Sequence, residues 1–134
     1  MKFTIVYLII WLITSTTLLR ADTFNIKDGS ADHIVNVSRY IGDHSVVFRD
    51  YKGDYDIYVK KGDCSNEADH SISITKQIAD YSVVISEQSG DFSAVIVNSG
   101  GDHTVCVPNN SNREEIEEYV AVVVVVAALK LKRL

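Results

Sequence analysis

Apolar and polar residues alternate along most of this chain, and the alternation returns at a fixed interval. Seven units begin with Gly or Ala, then Asp, then a ring-bearing residue, as in ADYSVVI from Ala79 to Ile85. Five of the six steps between units are eleven residues long, and one is fifteen. A fixed period is the mark of a repeat architecture. The pattern therefore predicts one structural unit repeated seven times, with an eighth, degenerate unit beginning at Ala21.

Each unit has the polarity of a half-buried strand. Residues two apart share one face of a strand, so the third, fifth and seventh residues of a unit lie together. The fifth and seventh are apolar in all seven units, which predicts a strand of about five to seven residues followed by a turn. The small residue and the Asp at the start suit that turn. We expect the third residues to form a core ladder of rings: His33, His44, Tyr55, His70, Tyr81, Phe92 and His103.

The predicted fold class is all-β. One strand cannot bury its own face, but stacked neighbours share a continuous core. An eleven-residue interval fits a β-solenoid with two strands per coil, in which alternate units stack about 4.8 Å apart. An antiparallel meander or β-sandwich is the alternative, since each unit is a strand with a short connection. Register favours the solenoid, because equal unit lengths are needed only when coils stack.

The two ends of the chain differ from the repeat region, which spans residues 22–112. Residues 1–21 have the pattern of a secretory signal peptide, with Lys2 before an apolar run and cleavage after Ala21. An uncleaved membrane anchor is the alternative, because the run from Phe3 to Leu19 is just long enough to span. Either interpretation predicts that the repeat region is exported and is extracellular or at the cell surface.

Residues 113–134 form an acidic stem followed by a short apolar segment that includes Val122–Val126. Basic residues follow the apolar run, as at the cytoplasmic end of a membrane helix. One interpretation is therefore membrane contact through Tyr119 to Leu134. The other is a β-strand that pairs with further chains, because consecutive valines favour strands. The sequence leaves both open.

Charge and cysteine content narrow the function classes. Residues 22–118 carry eighteen acidic and eight basic side chains, a net charge of minus ten, which argues against a nucleic-acid partner.

Cys64 and Cys106 are a candidate disulfide in an oxidising compartment. Two coils of a solenoid would separate them by about 9.6 Å, whereas a disulfide requires Cα atoms within about 7 Å of each other. Bridging therefore requires the insertion around Cys64 to lie along the stack, or a different topology. Asn36 and Asn109 begin glycosylation sequons, which matter in a eukaryotic source.

No catalytic constellation stands out in the sequence. All four histidines follow an aspartate, but Tyr and Phe occupy the same place in other units, so the position requires a ring rather than a proton carrier. We expect no enzymatic activity and no cofactor. The aspartates are candidate calcium ligands, because a solenoid would stack like charges that calcium could neutralise. The corner in question comprises Asp32, Asp54, Asp80 and Asp102. We favour the simpler interpretation that each aspartate caps a turn in water.

The repeat resembles that of curlins, the subunits of curli fibres on bacterial surfaces. In the segment from Ser82 to Ser93, Gln88 and Gly90 fall in the curlin places, serine stands where curlins have Asn, and Gln77 takes the Gln place one unit earlier. This resemblance implies a β-solenoid subunit that polymerises. A second segment, from Gly101 to Asn109, is similar to the lumenal β-sandwich (GOLD domain) of p24 cargo receptors.

Two functional hypotheses follow. The first is a non-enzymatic, exported structural or assembly subunit, curlin-like and amyloid-forming, that self-associates through open strand edges. The second is a type I membrane-tethered ectodomain that binds a protein partner through a β-sandwich face.

Overall fold

The repeat units fold into a closed barrel around a helix. The computed structural model describes residues 22–130, so the predicted signal peptide, residues 1–21, and the last four residues lie outside the described part of the chain. The elements are β1 Thr23–Ile26, β2 His33–Ser38, β3 His44–Phe48, β4 Tyr55–Lys61, β5 His70–Thr75, β6 Tyr81–Ser86, β7 Phe92–Val97, β8 His103–Val107 and α1 Arg113–Lys130. The degenerate unit at Ala21 thus supplies β1.

The strands are all parallel and follow the order β1-β5-β2-β6-β3-β7-β4-β8 before β8 pairs with β1. Consecutive units occupy every second place, so the chain winds around the barrel twice. The predictions of a β-solenoid and of an antiparallel meander or sandwich are both wrong. A solenoid requires each unit to pair with units two away, whereas β2 pairs with β5 and β6.

Neighbouring strands are staggered by two residues. Val35 of β2 lies opposite Tyr81 of β6 on one side and Ile74 of β5 on the other. Stagger and strand number together set the tilt and width of a barrel. The repeated stagger here opens an interior wide enough to hold α1.

The crossovers between consecutive units explain why each unit begins with Gly or Ala. Ser38 and Ser45, the residues on either side of the β2–β3 crossover, both lie opposite Val84 of β6. The crossover therefore passes over β6, and a Cβ atom at Gly42 would lie 2.8 Å from the backbone carbonyl carbon of Val83. A small residue is required by this close approach of two backbones, which the turn interpretation did not anticipate.

The fifteen-residue step follows from the same topology. Each of the remaining crossovers passes over one strand, but the β4–β5 connection passes over two, β8 and β1. A disulfide joins Cys64 in this connection to Cys106 of β8, with the Cα atoms 6.1 Å apart. The backbone N–H of Cys64 also donates to Oδ1 of Asn25 in β1, at 3.3 Å. The insertion is thus fastened to both strands that it crosses.

The core lies between the inner face of the barrel and α1. One residue per strand, the fifth of each unit and Phe24 in β1, is 0% exposed. These residues are Phe24, Val35, Val46, Ile57, Ile72, Val83, Ala94 and Val105. They form one cluster with Val120–Ala127 of α1, seven residues of which are also inaccessible. Because seven consecutive residues face every direction around a helix, α1 is enclosed by the barrel.

The C-terminal valines are helical, so the interpretation of this segment as a β-strand is wrong. Asn112 begins the helix with a capping box: its Oδ1 accepts the N–H of Glu115 at 2.8 Å, and Glu115 Oε1 accepts the N–H of Asn112 at 3.1 Å. Inside the closed barrel there is no free strand edge to pair with, and a helix satisfies its own backbone hydrogen bonds. Within residues 22–130, no helix combines the length and apolarity needed to span a membrane.

Candidate functional site

The predicted rings lie around one mouth of the barrel. Because the strands are parallel, their first residues share one end, which we call the amino mouth. His33, His44, Tyr55, His70, Tyr81, Phe92 and His103 each begin a strand there. They form a single circle, and not the two separate ladders that a solenoid predicts. His33 is buried and the others are partly exposed, so this circle closes the amino mouth only in part.

Three of the four histidines lie close together around β1. His103 begins β8 on one side of β1, and His70 and His33 begin β5 and β2 on the other side. The ring of Phe24 stacks on His70 with centroids 4.9 Å apart and meets His103 edge-on at 5.8 Å. His33 lies 5.7 Å from His70 on the next strand. His44 belongs to β3, which is separated from β8 by two strands in the barrel order. The sequence placed all four histidines in equivalent positions, and only the barrel order separates His44 from the rest.

Asp22 joins two of these histidines. Its carboxylate Oδ2 lies 3.2 Å from Nε2 of His70, and its backbone N–H donates to Nδ1 of His103 at 3.2 Å. Burial lowers the pKa of His103, against the opposing influence of Asp22 and Asp102. The bond from the Asp22 N–H requires a neutral His103 imidazole with Nδ1 unprotonated.

The repeated aspartates join neighbouring strands. In the β4–β7 pair, the N–H of Ser93 donates to Oδ2 of Asp54 at 2.9 Å, and the N–H of Asp54 donates to Oγ of Ser93 at 2.8 Å. The same reciprocal pair joins Asp32 to Ser71. We call a link in which such an aspartate carboxylate accepts the backbone N–H of a residue on the neighbouring strand a staple. The aspartates that make one are Asp32, Asp54, Asp69, Asp80, Asp91 and Asp102. Asp43 instead donates its backbone N–H to Oγ of Ser82 at 2.8 Å.

The four aspartates proposed to share a corner are not brought together. Asp32, Asp54, Asp80 and Asp102 lie on β2, β4, β6 and β8, which form two adjacent pairs separated by other strands in the barrel order. Each carboxylate instead accepts a backbone N–H from a neighbouring strand. Within residues 22–130, no group of three or more His, Cys, Asp or Glu side chains is placed to hold a metal ion.

The two sequons differ in accessibility. The Nδ2 group of Asn36 is partly buried and donates to the backbone oxygen of Gln77 at 3.0 Å. Asn109 is exposed beyond the end of β8. A glycan at Asn36 would have to displace the crossover that contains Gln77.

Exposed apolar side chains concentrate on two adjacent crossovers. Tyr40 is 94% exposed and Ile41 is 80% exposed on the crossover over β6, and Ile78 is fully exposed on the crossover over β2. Strands β2 and β6 are neighbours, so the two crossovers lie side by side. A surface depression lined by Ile78, Lys76 and Asp43 connects them. We call Tyr40, Ile41 and Ile78 the loop face.

The loop face was not found from the sequence. Residues before the small residue of each unit vary, from Ser and Lys to Ile, and only the crossover geometry turns them outward. The one available signal was Tyr40-Ile41, two large apolar residues directly before a glycine in a segment that the period assigns to a connection. The capping box at Asn112 and Glu115 was a second signal, and it would have indicated the helix.

No model of a known protein family matches this chain, and a search of curated proteins finds no significant match.

Proposed function

We propose that this chain is an exported, non-enzymatic structural subunit whose copies associate in pairs through the loop face. The observation that carries the proposal is that three large apolar side chains are exposed on two neighbouring crossovers, on the outer surface of a barrel whose strands are all paired on both sides. A contiguous exposed apolar patch on a small soluble domain marks an interaction surface.

The closed barrel changes how self-association works. Within the described residues each of the eight strands has a hydrogen-bonded neighbour on both sides, so no edge is open for a further strand. The amyloid-type assembly predicted from the repeat is therefore wrong. Association has to use side chains on the outer surface, and the loop face supplies the largest exposed apolar ones.

Charge favours a second copy at this position. The barrel is strongly acidic, so most approaches of one copy to another are repulsive. On the two crossovers of the loop face, Arg39 and Lys76 balance Asp43 and Asp80, and Arg39 also pairs with Glu114 of α1 at 3.4 Å. Opposed loop faces therefore bring together crossovers without net charge, and they fit the two-fold arrangement that dominates among homodimers.

The area of the loop face matches one side of an ordinary interface. A buried aromatic side chain contributes roughly 150–250 Å², so Tyr40 with two isoleucines presents on the order of 500 Å² of mainly apolar surface. A standard interface takes about 800 Å² from each partner, a little over half of it non-polar, or about 450 Å². The flanking polar residues supply the remainder as a rim.

Export is part of the proposal and is supported by the disulfide. Cys64 and Cys106 are both buried and bonded to each other, and such bonds persist in oxidising compartments. The signal-peptide pattern in residues 1–21 agrees with this location.

Sedimentation velocity over a range of protein concentrations tests the association. We expect wild-type protein to shift from monomer to dimer as concentration rises. The double variant Ile41→Ser with Ile78→Ser should remain monomeric, because it removes the apolar centre of the loop face without touching the core. Tyr51→Ser is the matched control: Tyr51 is 77% exposed but lies on the crossover over β7, outside the loop face, and its loss should leave the dimer intact.

Other results would contradict the proposal. A wild-type protein that stays monomeric at every concentration would refute association between copies. If the same protein sediments with vesicles of mixed neutral and anionic phospholipid, and the double variant does not, the loop face is a membrane surface instead. If Ile78 replaced by a photo-crosslinking residue captures a different protein while the control at Tyr51 does not, the occupant is a heterologous partner.

A further inference from the structure

Six of the eight strand junctions are held at the amino mouth by a carboxylate staple. At a seventh, between β3 and β6, the backbone N–H of Asp43 donates to Oγ of Ser82 at 2.8 Å. Each staple pairs an aspartate that opens a unit with the backbone of the neighbouring strand, as Asp69 does with the N–H of Thr23 at 2.9 Å and Asp102 with the N–H of Asp56 at 2.7 Å. Carboxylates stay ionised well below neutral pH. None of these seven links uses an imidazole, so they persist across the range in which histidine titrates.

The eighth junction, between β1 and β8, is built differently. Here the second residue of the unit, Asp22, offers its backbone N–H to Nδ1 of His103 at 3.2 Å, and its carboxylate turns to His70 on the opposite side. The link between β1 and β8 at the amino mouth thus depends on an imidazole. Histidine is the side chain whose charge changes most readily between about pH 5 and pH 8.

Protonation of His103 affects one side of β1 only. In the imidazolium form both ring nitrogens carry a proton and neither accepts a hydrogen bond, so a protonated His103 loses the N–H of Asp22. The contact of the Asp22 carboxylate with Nε2 of His70, on the other side, does not involve His103. Protonation of His103 therefore weakens the attachment of β1 to β8 and leaves its attachment to β5 in place.

Burial is the largest influence on His103 and lowers its pKa. The ring faces Asp22 directly before β1, Asp102 directly before its own strand and His70 across Phe24, and it stacks at 6.3 Å on the ring of Tyr55. The two aspartates favour its protonation, but each already bonds to a neighbour, Asp22 to His70 and Asp102 to the N–H of Asp56. Because the lowered pKa belongs to the closed junction, protonation of His103 favours the open one.

We propose that the β1–β8 junction is a pH-sensitive seam, in which protonation of His103 separates the start of β1 from β8 while β1 stays attached to β5. The seam lies at the shortest strand of the barrel, four residues long, and beside Phe24, which covers the core. Opening at this place gives access to the barrel interior without breaking any carboxylate staple.

Amide hydrogen exchange on the full chain tests the seam, with protection factors used so that the intrinsic pH dependence of exchange is removed. The N–H of Thr104 donates to the oxygen of Asp22 across the seam, and the N–H of Asp69 donates to the oxygen of Thr23 on the other side of β1. Between about pH 7.5 and about pH 5.5, we expect protection of Thr104 to fall several-fold and by at most about ten-fold, which is the limit that one imidazole can supply over this range. Protection of Asp69 should not fall.

Two variants separate the seam from a general effect of acid. In His103→Asn the side-chain oxygen stands close to the position of Nδ1 and accepts the Asp22 N–H without titrating, so protection of Thr104 should become independent of pH. His44→Asn makes the same change in β3, whose junctions are held by aspartates, and should retain the wild-type pH dependence.

A wild-type Thr104 whose protection does not change with pH would overturn the proposal. So would His103→Asn retaining the full pH dependence, or Asp69 losing protection in parallel with Thr104. If His103→Asn does not fold, an NMR titration of the His103 ring in the wild type decides: its midpoint must coincide with the midpoint for loss of Thr104 protection, and a mismatch refutes the seam.

Discussion

Adding a single methyl group to a crossover glycine tests the double-wound topology. The perturbation is Gly→Ala at Gly42, Gly90 or Gly53, the first residues of three units. Alanine occupies the same place in other units, so the residue type itself is compatible with a crossover. None of these three glycines has a positive φ among the described residues, so the substitution introduces contact rather than backbone strain.

The three positions differ in what the new Cβ atom would meet. At Gly42 it would lie 2.8 Å from two backbone atoms of β6, in Val83 and Val84. At Gly90 the nearest atom is the backbone nitrogen of Val47 at 3.0 Å. At Gly53 the nearest atom is a side-chain methyl of Val95 at 3.0 Å, and the nearest backbone atom is the oxygen of Ser93 at 3.2 Å. Backbone atoms in a sheet cannot yield without disturbing the barrel, whereas a side-chain methyl can rotate away, so Gly53 has the mildest contact of the three.

The expected effects follow from these contacts. Overpacking costs about 1–3 kcal/mol, and we assign about 2–3 kcal/mol to Gly42→Ala and about 1–2 kcal/mol to Gly90→Ala. Gly53→Ala should be close to neutral. Alanine lowers the conformational entropy of the unfolded chain, and this effect offsets about 0.4–1 kcal/mol of the cost of the contact. For a domain of this size about 1 kcal/mol corresponds to roughly 4–8 °C in Tm.

Thermal unfolding followed by circular dichroism measures the series, with chemical denaturation as a second estimate of the free energy of unfolding. The reasoning predicts the order Gly42, Gly90, Gly53 from most to least destabilised. Equal melting temperatures for Gly42→Ala and wild type would refute the crossover over β6. A larger loss at Gly53 than at Gly42 would show that the crossovers lie on other strands.

Three further predictions concern the core, the disulfide and the staples. Val123→Ala should lower the free energy of unfolding by about 2 kcal/mol, while Val123→Asp should prevent folding, because it buries an unpaired charge inside the barrel; expression and denaturant titration distinguish the two. Replacing Cys64 and Cys106 by serine should cost about 4 kcal/mol, given their sequence separation of 42, and a wild type whose Tm is unchanged by reductant would contradict this. The N–H of Ser71 holds the pKa of Asp32 below its usual range. The Asp32 staple therefore stabilises the fold above about pH 4, and this stabilisation is lost as the pH falls through the lowered pKa. Asp32→Asn should flatten the acid side of the curve of unfolding free energy against pH, and an unchanged curve would contradict the staple.

The sequence predicted the strands well and their arrangement poorly. The alternation in each unit is a local property, because it depends only on which residues of a strand face the same side. It identified Val35, Ile57 and Val83 as inward-facing, and these residues are fully buried. The same alternation fits a solenoid coil and a barrel strand equally, since both bury one face of each strand.

The C-terminal helix shows the limit of local propensity. Five consecutive valines favour a strand, but inside a closed sheet no partner edge is available, and the capping residues Asn112 and Glu115 start a helix that satisfies its own backbone. The barrel, in turn, requires an apolar filler for the wide interior that its stagger creates. The barrel and the helix therefore bury each other's apolar side chains.

The order of residues alone determined the period of the repeat, the small residue and aspartate that open each unit, and the buried face of every strand. These features are properties of short segments, because each depends only on residues within one unit. Only the tertiary structure decided which units become neighbours, because pairing joins strands that are tens of residues apart and depends on stagger, closure and the filled interior. For that reason the staples, the His103 seam and the loop face emerge from the barrel and not from any one unit.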